Sequence, residues 1–168
     1  MNRARGVAAH HPKEVCPVFG GEKRSAHASQ RVRGGGIRQR RRTDFRGVGV
    51  YRKAADQGNA GAQLNLGVSY RDGRGVPKDY VEAVRWFRKA AEQEKASALD
   101  ALAGMYHFGD GVPKDEVLAY MWDNLAAARG SSMGAKNRDL DAARMTPDHI
   151  AKAQRLSREC QNQILNTC

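Results

Sequence analysis

The word Gly73-Arg-Gly-Val-Pro-Lys-Asp79 returns 36 residues later as Gly109-Asp-Gly-Val-Pro-Lys-Asp115. Its surroundings return at the same spacing. Tyr51-Arg-Lys-Ala-Ala-Asp-Gln57 reappears as Phe87-Arg-Lys-Ala-Ala-Glu-Gln93, and Leu66-Gly-Val-Ser-Tyr70 as Leu102-Ala-Gly-Met-Tyr106. Trp86 reappears as Trp122, and Ala90-Ala91 as Ala126-Ala127. A fixed period of this length marks a chain of stacked units rather than one closed core.

The words dictate what each unit is. Gly-x-Gly-Val-Pro cannot continue a helix: the glycines accept positive φ, Pro77 has no N–H, and Val76 before it is pushed out of the helical region. Asp79 then reads as an N-cap for a new helix. Tyr80 to Gln93 follows without Gly or Pro, and Tyr80, Ala83, Val84, Phe87, Ala90 and Ala91 share one helical face. A partner helix runs from Ala60 to about Asp72, with Leu64, Gly67, Val68 and Tyr70 at similar steps. One unit is thus two antiparallel helices. Burying a Trp of ~150–250 Å² contributes at most ~4–6 kcal/mol, less than the cost of ordering some thirty residues. Neighbouring units must supply the rest.

The Leu-Gly-x-x-Tyr, Gly-x-Gly-Val-Pro-x-Asp and Trp-Phe-Arg-Lys-Ala-Ala-Glu-Gln words resemble the Sel1-like repeat, a relative of the tetratricopeptide repeat, from about Val48 to the C-terminus. The resemblance implies an all-α fold: a short right-handed α-solenoid of antiparallel helix pairs, about 2.5 repeats, closed by a C-terminal capping helix. It also implies protein binding without catalysis, often in bacterial signalling or envelope biology. In related repeats the helix carrying Leu-Gly-x-x-Tyr lines the concave face. Carried onto this chain, that face presents Asn65, Val68, Arg71 and Asp72, then Asp100, Ala101, Gly104, His107 and Phe108, then Lys136 and Asn137. Their mixed charge suits a polar peptide or helix rather than an apolar pocket.

Residues 45–168 divide into a partial unit (45–57), two units (58–93 and 94–129) and a C-terminal unit with its cap (130–168). In the partial unit, the Asp44 to Tyr51 spacing is one residue shorter than Asp79 to Phe87, and Gly47 and Gly49 weaken the helix. Its Leu-Gly-x-x-Tyr partner is missing. The first edge of the solenoid is therefore poorly capped, open to the tail, a partner or a second copy. Gly58 occupies a C-cap position, but its repeat equivalent is Glu94, so that turn is expected to be longer or strained. Thr146-Pro147 starts the last helix, on which Ile150, Ala153, Leu156 and Cys160 share a face.

Residues 1–44 differ in kind. They hold eleven Lys and Arg against Glu14, Glu22 and Asp44, and so carry +8 of the net +11. They show no helical or strand period and read as a disordered Arg/Gly-rich tail. Phosphate contacts through this arm give the alternative function, an adaptor on nucleic acid or an anionic surface. The tail has no continuous apolar stretch of the secretory kind. That favours the cytoplasm, and a start set elsewhere would leave the periplasm or secretion open. The repeat words stop where the Arg-rich composition begins, so an upstream extension through a misassigned start or a frame change is a third reading of the tail.

Other constellations carry little. His10, His11, Cys16 and His27 match no zinc spacing. Three cysteines do not suggest a disulfide framework, and Cys160 and Cys168 lie ~12 Å apart on a continuous helix, beyond bridging distance. Cys160 reads as a small core residue. No nucleophile or phosphate-loop motif appears, so no cofactor or metal is expected. The leading function is a protein-interaction module that scaffolds or regulates a bacterial complex.

Overall fold

The computed structural model describes residues 41–165. The basic arm, its histidines, Cys16 and Cys168 lie outside the described residues. Seven helices follow in order: α1 (Arg41–Asp56), α2 (Ala60–Asp72), α3 (Tyr80–Ala91), α4 (Ala96–Phe108), α5 (Glu116–Ala128), α6 (Ser132–Ala142) and α7 (Pro147–Leu165). No strand occurs among the described residues. The pairs α2/α3 and α4/α5 are the repeated units. α1 packs on α2, α3 on α4, and α5 on both α6 and α7. The chain is an α-solenoid. α1 starts at Arg41, upstream of Asp44, and runs through Gly47 and Gly49 without interruption.

The Gly-Val-Pro turns behave identically in both units. Gly73 (φ 70°) and Gly109 (φ 77°) end α2 and α4 in the left-handed region, where glycine has no Cβ to clash. Asp79 then accepts from Glu82 N at 3.0 Å, and Asp115 from Val117 N and Leu118 N at 2.9 and 3.0 Å, so both caps form as the sequence predicts. Asn59 and Ser131 cap α2 and α6 in the same way. Thr146 Oγ1 accepts from His149 N at the start of α7.

The main core gathers Phe87, Leu99, Leu102, Tyr106, Met121, Trp122 and Leu125. A smaller one under α1 holds Val48, Ala55, Ala62, Leu66 and Trp86. α7 closes the far end through Ala153, Ser157 and Cys160, with Ser157 Oγ donating to Met121 O at 3.3 Å. Cys160 is buried as expected, but it is disulfide-bonded, which corrects its reading as a simple core thiol.

Bonds between and within units also follow the period. Arg52 donates to Tyr70 Oη, and Arg88 to Tyr106 Oη at 3.0 Å. Gln93 Nε2 donates to Gly58 O and Gln63 Oε1, both at 2.9 Å. One period on, Arg129 stands in for Gln93 and Glu94 for Gly58, and these two form an ion pair. This accounts for the departure at Glu94. The turn is strained rather than lengthened: Glu94 sits at φ 55°, the one non-glycine residue with positive φ among those described. Its carboxylate ties the start of unit 94–129 to that unit's last residue.

A left-handed non-glycine residue costs ~1–2 kcal/mol, and a half-exposed ion pair returns ~0–1 kcal/mol. Glu94→Gly should therefore raise the melting temperature by roughly 2–5 °C despite losing the pair, whereas Glu94→Ala should lower it. Thermal denaturation of both variants checks this; a Glu94→Gly protein less stable than wild type would mean that the ion pair outweighs the backbone strain.

Candidate partner-binding groove

Three recesses lie side by side along the helices that carry Leu-Gly-x-x-Tyr or its equivalent. The first, about 280 Å³, lies between α1 and α2 and is bordered by Val48, Tyr51, Asn65, Val68, Ser69 and Arg74. The second and largest, about 520 Å³, runs along α2, α4 and the start of α6. The third, about 200 Å³, lies between α4 and α6 over Asp123. Adjacent recesses share residues: Asn65 and Val68 join the first to the second, and Gly104 and Phe108 join the second to the third. The three form one continuous strip.

They are also one recess repeated. Asn65, Val68 and Ser69 of the first correspond, 36 residues on, to Ala101, Gly104 and Met105 of the second. These correspond in turn to Asn137, Leu140 and Asp141 of the third. The wall therefore changes chemistry along the strip while its geometry repeats.

Seven of the eleven residues expected from the sequence line the central groove: Asn65, Val68, Arg71, Asp100, Ala101, Gly104 and Phe108. His107 and Asn137 line the third recess. Asp72 and Lys136 line none of the three. Asp72 is instead held by Arg71 at 2.8 Å and Arg74 at 2.9 Å, and these contacts keep its carboxyl below its ordinary pKa. Asp100 is also engaged, accepting from Ser131 Oγ at 2.9 and 2.8 Å. The groove is more apolar than the sequence suggests. Leu64, Met105 and Met133 join Val68, Ala101 and Phe108 on its wall, while Phe108 is 74% and Met133 59% exposed. Charge is confined to Arg71, Asp100 and Asp110. Leu64 and Met133 are not among the eleven because the expected face counted only side chains directed away from the unit core.

Asp123 is the other residue the sequence reading passes over. It follows Tyr51 and Phe87 at the 36-residue period, so a carboxylate stands where two aromatics precede it. Continuing the alignment one residue past Trp122 reveals it. Asp123 is only 3% exposed. It accepts one long bond, 3.5 Å from Asn137 Nδ2. Burial raises its pKa to about 7; the Asn137 bond opposes the rise, and nearby Asp141 and Asp100 add to it. No group of three His, Cys, Asp or Glu among the described residues is arranged to hold a metal ion. No described helix is long and apolar enough to cross a membrane.

The Sel1 repeat family model matches residues 51–59, 60–95 and 96–131. Among solved structures, the chain is similar to a protective antigen present in uropathogenic Escherichia coli strains that displays an SLR fold. That match has 37% identity and a TM-score of 0.66, over 67% of this chain and 24% of the other. It is also similar to a Sel1 repeat protein from Oxalobacter formigenes, with 42% identity and a TM-score of 0.53, over 55% of this chain and 38% of the other. The chain thus spans less than half the length of either. No curated protein matches it.

The raised pKa of Asp123 has a definite sign. Below its ordinary value of 3.8, folded and unfolded states both hold the proton and the folded state loses nothing. Between about pH 4 and 7 the unfolded chain ionises first, so this group costs up to ~1.4 kcal/mol of stability per pH unit, levelling off above 7. Asp123→Asn lacks the titration. Its stability advantage over wild type, measured by urea denaturation, should grow from pH 4 to 7 and then stay flat. A constant difference over that window would mean Asp123 is not the group that holds the proton.

Proposed function

Residues 51–131 of this chain belong to the Sel1 repeat family, and on that premise we propose that its solenoid is a protein-interaction module, a non-catalytic scaffold or regulator, that holds a peptide or helix along the α2/α4/α6 groove. Sel1 repeat proteins mediate protein–protein interactions. One observation carries the reading to this face: the groove combines exposed Phe108 and Met133 with a polar rim, and exposed large apolar side chains around a concavity are what a partner covers. The apolar wall with charge at its edges suits an amphipathic segment, laid across the repeats with apolar side chains down. Of the eleven residues read from the sequence, Asn65, Val68, Arg71, Asp100, Ala101, Gly104 and Phe108 form this site, with His107 and Asn137 beside it. Asp72 and Lys136 stand outside it.

A peptide selected from a random display library against the full chain is expected to lose about tenfold or more in affinity on Phe108→Ser/Met133→Ser. Val81→Ser, on α3, should leave it unchanged; Val81 is 58% exposed and serves as the control. The opposite pattern would move the binding face to the other side of the solenoid.

A second reading rests on charge: residues 1–44 carry +8 of the net +11, and a basic arm of this density binds polyanions through phosphate contacts. Retention of the full chain on heparin at moderate salt, abolished by removing residues 1–40, is its expected signature. Equal retention after the removal would end it.

A further inference from the structure

The third recess departs from the first two in a way that packing does not require. In the unit before it, Phe87 fills the space beneath the strip and is fully buried. The fit is tight, since a Cβ at Gly67 would lie 2.5 Å from the Phe87 ring. One period later Gly67 becomes Ala103 and Phe87 becomes Asp123. The added methyl replaces only a small part of the lost ring, and a cavity of about 200 Å³ remains, lined by both residues. A carboxylate now faces this cavity from a position that is 97% buried, with 3% exposed. Its one hydrogen bond among the described residues, from Asn137, spans 3.5 Å and reaches only Oδ1.

The surroundings define the ligand this carboxylate lacks. Asp141 lines the same cavity, and Asp100 adds to the negative field at Asp123. On the other side, His107 and Arg144 line the cavity too. Neither forms an ion pair with Asp123. Leu140 and Phe108 give the mouth apolar sides. A buried carboxylate at the end of an apolar-sided cavity suits a group with an aliphatic stem and a cationic tip. The absence of a three-ligand metal cluster among the described residues favours an organic cation over a metal ion.

We propose that the α4/α6 recess is a specificity pocket for a lysine or arginine side chain of the bound polypeptide, with the Asp123 carboxylate receiving its ammonium or guanidinium. This deepens the groove reading and rests on it: the same strand of partner would place apolar side chains along α2 and α4 and a basic one beyond Phe108. A cation there also favours the ionised carboxylate, so binding draws the proton off Asp123 and weakens as the pH falls toward 5.

The test uses side-chain mimics, so it needs no partner. n-Butylammonium and ethylguanidinium are titrated into the full-length protein at constant ionic strength, followed by the NMR shifts of the Gly104 and Asn137 amides, with 1-butanol as the neutral control. Saturable shifts with both cations and none with butanol are expected for wild type. Asp123→Asn should weaken cation binding about tenfold or more while keeping its fold. Asp123→Phe/Ala103→Gly, which restores both the aromatic and the glycine that makes room for it in the preceding unit, should abolish it. Equal response to butanol, or equal cation binding by Asp123→Asn, would overturn the proposal. The groove reading fails on a different observation, an unaltered peptide affinity in Phe108→Ser/Met133→Ser, so the two failures are distinguishable.

Discussion

The ring of Phe87 occupies the place where any side chain at position 67 would have to go, with 2.5 Å left for a methyl carbon. This contact sets how closely α2 approaches α3, and close approach lets short, alanine-rich helices bury enough surface to hold together. Ala83, Ala90 and Ala91 on α3 are all buried, and none projects far enough to keep a neighbour away. The turns enforce the same closeness. Gly111, at φ 71°, lies against the backbone of Tyr80, where a Cβ would come within 2.5 Å of the Tyr80 carbonyl. Each unit is thin, and its stability comes from fit to the next.

A thin unit must be tied to its neighbour, and the ties show where the repeat is kept and where it changes. Arg52–Tyr70 and Arg88–Tyr106 are the same bond one period apart. A further period gives Asn124 and Ala142, which cannot make it. There α6 is tied instead by Ser131 to Asp100, and by Gly134, which packs so closely that a Cβ would meet Ala126, Asp100 and the Asp123 backbone within 3 Å. The last interface is therefore built from caps and small residues rather than long side chains. Its centre is left open, and that opening is the recess over Asp123.

How much of this was legible follows from range. The turns, the Asp79 and Asp115 caps and the helix starts depend on chemistry within five or six residues, and the sequence displays them in full. The face of α7 bearing Ala153 and Cys160 is equally local. The strip of recesses lies along the helices that the period maps one onto the next. Its character was not legible. Leu64 and Met133 become wall residues through stacking, and Asp72 lines none of the three recesses, its carboxylate held by Arg71 and Arg74. Asp100 looks like a free rim charge in the sequence and proves to be the acceptor that fixes the start of α6. Asp123 was readable in principle, since the period that pairs Trp86 with Trp122 also pairs Phe87 with an acid.

That substitution bears on the whole molecule. In a repeat protein the cheapest residue at each position is the one that already packs in the neighbouring unit, and at this position it is an aromatic. Burying a carboxylate with a single long hydrogen bond costs stability at neutral pH, and no ion pair among the described residues offsets it. Glu94 poses a similar problem and answers it: its strained backbone is partly offset by Arg129. Asp123 has no such answer among the described residues. A departure from the repeat that the described residues do not compensate is where a functional constraint is expected. The charge lies at the end of the strip of surface that also exposes Phe108, Leu140 and Met133. The missing counterion and the uncovered apolar surface thus lie on the same face, and one basic, amphipathic segment would satisfy both.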